Sequence, residues 1–234
     1  MVARRSALGA GFDEGLSLGE DVDLVWRLHD AGWQVRYEPE VTVAHEDRVR
    51  PVAWYRRRVA YNESVAPLLR RHPARVPVLF LSPITGAAWG AALGGWPAPM
   101  AILSIVRAAR LRHALTGRVP DAGAWASRAA ADITVREAHD LGRAFAGPWA
   151  PFALAALGVV RAPRRRRLAL ALGTLLTTMV IRDWLADRPS LDPLSYTALR
   201  LADESSRGVG IWLGCLRARD FRALLPRRPP HARG

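Results

Sequence analysis

Three carboxylates stand within four consecutive positions, Glu20, Asp21 and Asp23, directly after Gly19. Acids crowded in this way are suited to proton chemistry. Each negative charge raises its neighbours' pKa, the amino end of a helix lowers it, and opposed pressures can leave a carboxylate usable as a base near neutral pH. The plainer role is electrostatic: acids in a first helical turn complement the macrodipole by about 0.3–1 kcal/mol each at exposed sites.

Those acids need an element to hold them. From Glu20 to Ala31 apolar residues recur at Val22, Val25 and Trp26 and at Leu24, Leu28 and Ala31, a wide helical stripe. Gly19 precedes the stripe and Gly32 stands where a glycine stops a helix, so a helix is predicted over Glu20–Ala31. Before it, Gly11-Phe12-Asp13-Glu14-Gly15 reads as a turn. After it, Trp33, Val35 and Tyr37 alternate with polar residues, which predicts a half-buried strand ended by Pro39, and Val41–His45 reads as a second short strand. The first third is therefore expected to be α/β.

Gly11-Phe12-Asp13-Glu14, Gly19-Glu20-Asp21-Val22-Asp23-Leu24, Ala31-Gly32-Trp33, Tyr37-Glu38-Pro39 and Val43-Ala44-His45 follow one another in order. Together they resemble the acceptor-side half of a family 2 glycosyltransferase with the GT-A fold. The resemblance implies an α/β remnant of a GT-A domain in which Asp21 is the general base that deprotonates the acceptor hydroxyl. It implies that Glu20 and Asp23 orient acceptor hydroxyls or support the base, and that His45 joins a site for a divalent metal, Mg or Mn. Asp21-Val22-Asp23 also spells the Asp-x-Asp that such enzymes use to hold the metal and the donor diphosphate. That motif belongs at the end of an apolar strand, where carboxylates converge on a cation, and Leu16–Glu20 is too short and polar for one. The donor motif is expected upstream of the helix and the donor-binding half outside this chain, so the isolated polypeptide is expected to be inactive.

The remainder is predicted to be mainly helical and apolar. A helix is expected from Pro51 to about Arg71, carrying Arg56-Arg57-Arg58. Val76 to Val106 carries no formal charge and is long enough to enter hydrocarbon, but Gly94-Gly95-Trp96-Pro97 reads as a break between two shorter helices, which leaves a hairpin or re-entrant pair and one tilted crossing equally open. A polar helix is predicted over Asp121–Arg143, with Arg128/Asp132 and Arg136/Asp140 at pairing distance; His139 there reads as structural. Ala144–Val160 and Leu168–Ile181 flank Arg161 and Arg164–Arg167, a hydrophobic hairpin with a cationic tip. At 1.5 Å per residue the two blocks reach about 25 and about 21 Å, short of a hydrocarbon core of roughly 30 Å, so membrane contact would need snorkelling arginines or a bilayer-surface position, and a buried hairpin of a soluble protein is the alternative. A further helix is expected within Asp192–Arg219, where Gly210 and Gly214 would let another helix approach closely.

The chain carries 34 basic against 21 acidic residues, a formal charge of +13, and 50% of it is apolar. That excludes an acidic disordered segment, and every basic residue is arginine. One cysteine, Cys215, excludes an intramolecular disulfide. The arginines bracket apolar blocks and no nucleic-acid recognition motif is present, so lipid rather than nucleic acid is the expected surface partner.

Trp54–Leu68 with Arg71-His72-Pro73, and Asp192–Tyr196 through Gly208–Trp212, are similar to segments of the glycosyltransferases of the mycofactocin system. That resemblance implies a nucleotide-sugar donor, UDP-glucose, and a mycofactocin-type acceptor. The expected organisation is the carboxyl-terminal part of a glycosyltransferase domain at 1–75, a helical, membrane-associated extension at 76–225, and a basic disordered tail at 226–234. The expected location is the cytoplasmic face of the cell membrane, with a separate chain as one possible source of the donor-binding half. The competing expectation is a non-catalytic, arginine-rich membrane-peripheral module.

Overall fold

The computed structural model describes residues 3–16, 18–40, 42, 50–73, 75 and 78–228. Among them the chain forms α1 (Glu20–Asp30), α2 (Pro51–Glu63), α3 (Val65–Arg71), α4 (Pro83–Leu93), α5 (Ala98–Leu115), α6 (Ala122–Ala146), α7 (Ala150–Val159), α8 (Ala162–Asp187) and α9 (Pro193–Ala218), with single 3-10 turns at Arg5–Ala7 and Arg222–Leu224.

The expected α/β remnant of a GT-A domain is not what forms. Helix accounts for 71% of the described residues, and there is no strand or sheet among them; Phe80 and Arg227 make one isolated bridge. The period-two segment Trp33–Tyr37 is irregular and solvent-exposed, with Tyr37 87% accessible. A strand is stabilised by a neighbour that takes up its backbone donors and acceptors. Here the Trp33 N–H is already used, donating to Leu28 O at 3.0 Å while Gly32 N donates to His29 O at 3.0 Å. These two bonds form the Schellman stop of α1, with Gly32 in the left-handed conformation such a stop requires. The second expected strand, at 41–45, falls outside the described residues except for Thr42.

The chain divides into two compact units. The first comprises Met1–Pro77 with Ser206–Leu224, so it takes α1, α2, α3 and the second half of α9. Leu24, Leu28, Ala66, Leu68, Leu69, Ile211, Cys215 and Leu224 are buried in it. Gly210 and Gly214 of α9 face the backbone carbonyls of Val59 and Glu63 in α2 so closely that a Cβ at either position would overlap them. The small-residue pair seats α9 on α2.

The second unit comprises Val78–Ser205 with Leu225–Gly234. Helix α6 packs against both α5 and α8, and α4 against α5. Leu79, Ala138, Leu141 and Leu175 are buried at its centre, with Trp89, Phe145 and Trp149 against them. Ser82 caps α4, its Oγ accepting from Thr85 N at 3.2 Å ahead of Pro83 at the first helical position. Gly94–Pro97 separates α4 from α5. Leu81 N donates to Arg227 O at 2.7 Å and Arg227 N to Leu79 O at 2.9 Å.

Ion pairs lie among the apolar helices of this unit. Arg107 forks onto Glu137, Nη2 to Oε1 at 2.7 Å and Nη1 to Oε2 at 3.0 Å. Glu204 is fully buried between Arg143 Nε at 2.7 Å and Arg200 Nη1 at 2.8 Å. His139 reaches Asp183 at 2.8 Å, and Arg200 donates to the same carboxylate at 2.6 Å. On the exposed face of α6 the pair that forms is Asp132 with Arg136, whereas Arg128 turns to the carbonyl of Ala124 and stacks over Trp125.

Candidate active site at the head of the acid helix

Gly19 has φ +84°, and a Cβ there would stand 3.0 Å from Leu68 Cδ1 and 3.1 Å from Ser64 Oγ. The position therefore needs glycine both for its left-handed backbone and for its space. Through it the first turn of α1 rests on the junction of α2 and α3.

The three acids of that turn have three environments. Asp21 is exposed, and its Oδ1 accepts the backbone N–H of Val22 at 2.8 Å. Glu20 is partly buried, and its Oε2 is shut from solvent with no hydrogen-bond partner among the described residues. Asp23 is 2% exposed and fully engaged: Arg27 Nε donates to Oδ2 at 2.8 Å and His72 Nε2 lies 2.9 Å from Oδ1. Arg71 Nη1 is 3.9 Å away. Burial raises the Asp23 carboxyl, but the hydrogen bonds from His72 and Arg27 and the charges of Arg27 and Arg71 outweigh it and hold the group below the usual carboxylate range. It is ionised, can only accept, and so draws a proton of the His72 ring toward it.

The clamp extends outward from Asp23. Arg27 Nη2 also donates to Gly11 O at 2.7 Å, and Arg71 pairs with Asp13 at 2.9 Å. The Gly11–Gly15 turn is thus pinned to α1 and to α3. Trp26 meets the edge of the His72 ring at 5.1 Å, and Arg75 lies over Trp26 while pairing with Asp30. Beside this turn a cavity of about 320 Å³ is lined by Leu16, Leu18, Glu63, Ser64, Arg70 and Arg217, with Glu63 and Arg217 paired.

The sequence placed Glu20, Asp21 and Asp23 on one helix, and they share its first turn with their side chains in unlike surroundings. His45 falls outside the described residues. Arg27, His72 and Arg71, which fix the acid helix, were not identified from sequence. One signal for them was available: Asp23 lies on the apolar stripe with Arg27 four residues on, the spacing of a helical ion pair. Among the described residues no three His, Cys, Asp or Glu side chains gather as a metal site, and both oxygens of Asp23 are already taken, so these residues do not by themselves fit a divalent cation.

No family model matches the chain. Two curated proteins do, each named pre-mycofactocin glycosyltransferase, from Mycobacterium tuberculosis strains CDC 1551 / Oshkosh and ATCC 25618 / H37Rv. Each is 34% identical over 241 residues, covering 97% of this chain and 49% of the relative. The chain spans about half the length of the curated relatives it matches, and the resemblance to the mycofactocin-system enzymes is a sequence relationship over nearly its whole length. No solved structure matches.

Proposed function

We propose that this chain supplies the acceptor side of an inverting family 2 glycosyltransferase that moves glucose from a nucleotide sugar, UDP-glucose, onto a mycofactocin-type acceptor. The observation that carries the reading is Asp21, which stands exposed in the first turn of a helix held in place by the Asp23 clamp on Arg27 and His72.

In this reading Glu20 orients the acceptor, and Asp21 takes the hydroxyl proton as the oxygen attacks the anomeric carbon. The bond from that carbon to the nucleotide diphosphate breaks on the opposite face, which inverts the configuration. Asp23 supports the base by fixing α1 through His72 and Arg27. Mg or Mn belongs to the complete enzyme, with His45 as the residue of this chain proposed to reach it. The donor is bound by a further half, whether continuous with this chain or separate. The proposed setting is the cytoplasmic face of the membrane, where arginine-rich segments tend to remain.

The test is glucose transfer from UDP-glucose to pre-mycofactocin in the complete enzyme. Asp21→Asn is expected to lower turnover by about 10²-fold or more with an unchanged circular dichroism spectrum. Unchanged turnover would overturn the catalytic reading and favour the membrane-peripheral module. Transfer by this chain alone would show that the donor site lies within it.

A further inference from the structure

The second unit leaves an unusual amount of apolar helix uncovered. Helix α7 carries no charge and has no buried residue; Leu154 is 69% and Val159 86% exposed. Helix α8 is long and apolar enough to cross a bilayer by length and composition, yet only 17% of its apolar window is buried. Leu170, Ile181 and Leu185 on α8 are exposed as well. Contiguous exposed apolar surface of this kind marks contact with another phase or partner.

Three observations identify that partner. Arg161 in the α7–α8 connection and Arg164–Arg167 in the first turns of α8 are exposed, with no acid from Gly147 to Arg182. The α4–α5 turn comes to the same edge, because Gly95 lies against the Arg167 side chain, and next to it Trp96 is 73% exposed. An aromatic beside cationic stems at the border of an apolar surface is the pattern of a headgroup belt. Finally, the uncharged stretch of α8, Leu168–Ile181, measures about 21 Å and α7 about 15 Å, neither reaching a core of roughly 30 Å. Beyond the stretch lie Arg182 and Asp183, the latter tied to His139 and Arg200. A crossing would drag this ion-pair group into hydrocarbon, whereas a helix lying in the plane lets both of its ends reach water.

We propose that the α7–α8 hairpin and the Trp96 turn embed the second unit in one leaflet of an anionic bilayer, with α8 in the membrane plane and Arg161 and Arg164–Arg167 on lipid phosphates. Helix α6 packs on α8, and its Asp132, paired with Arg136, borders the groove lined by Leu170, Ile181 and Leu185, so that pair marks the waterline on this side. The proposal rests on the reading that this unit meets a membrane and adds its depth, orientation and lipid charge.

The test uses the whole chain and sealed vesicles of phosphatidylcholine, with or without one-third phosphatidylglycerol. Binding is expected to be at least about tenfold tighter to the anionic vesicles, and replacing Arg164–Arg167 with glutamine is expected to abolish that preference. In the same vesicles Ala162→Cys and Ala186→Cys, made separately, are both expected to react with an impermeant maleimide from outside; buried Cys215 stays silent. Protection of one site with the other labelled means a crossing helix and overturns the in-plane placement while leaving membrane contact intact. Equal binding to neutral vesicles removes the anionic recognition. Failure to bind either vesicle, with a discrete oligomer in solution, means that a second copy covers the apolar face, and membrane contact itself falls.

Discussion

At the scale of single residues, the acid motif separates into a part open to chemistry and a part that holds the helix in place. Asp23 belongs to the second. Its carboxylate is buried against Arg27, His72 and Arg71, so Asp23→Ala removes the common partner of two guanidinium groups and the His72 ring and is expected to cost about 3 kcal/mol in urea unfolding, as when a buried pair is broken. Asp21→Ala, on an exposed position, is expected to stay within about 0.5 kcal/mol. The contrast separates scaffold from reactive group without any assay of transfer. Asp23 also fixes a pH dependence. Its folded-state pKa lies below the unfolded value of 3.8, so its contribution is complete above that value and is lost as the pH falls through the folded one. Stability measured below about pH 4 should fall more steeply in the native protein than in Asp23→Asn, and parallel curves would contradict the ionised clamp. In the second unit, Glu204→Ala removes a fully buried carboxylate from between Arg143 and Arg200, the latter still held by Asp183, and is expected to cost about 1–3 kcal/mol.

At the scale of elements, helices whose stops are written locally were legible in the sequence, and segments that depend on a distant neighbour were not. Gly32 ends α1 with the two hydrogen bonds that its position implies, and Gly94–Pro97 parts α4 from α5 as the proline and paired glycines indicate. Gly210 and Gly214, spaced for close approach, meet α2. Trp33–Tyr37 shows the opposite case: alternation describes one face of a strand but cannot provide the second strand that makes a sheet. The site was half legible for the same reason. Glu20, Asp21 and Asp23 are adjacent in sequence, whereas His72 approaches Asp23 from 49 residues away and carries no local sign of doing so. Among the elements, the α2–α9 crossing is the most sensitive to added volume. Gly214→Ala would place a methyl group on the Glu63 carbonyl and is expected to destabilise the first unit by about 1–3 kcal/mol, seen as a lower urea midpoint at an unchanged slope.

At the scale of the whole molecule, polar and apolar work are divided between two units. The acid motif and its clamp lie in the first; the uncovered apolar helices and the arginine-rich tip lie in the second. The two readings built on them can therefore fail separately. An Asp21 variant that loses turnover should still float with anionic vesicles, and a variant lacking the Arg164–Arg167 charges should keep the urea midpoint of the first unit.

The long reach from α1 to His72 carries a practical consequence. A synthetic peptide copied from residues 11–32 would carry the acids and Arg27 but neither His72 nor Arg71. Nothing in it would oblige Asp23 to turn inward or Glu20 and Asp21 to present themselves as they do in the protein. Antibodies raised against such a fragment would recognise the denatured band on a blot and pass over the native molecule.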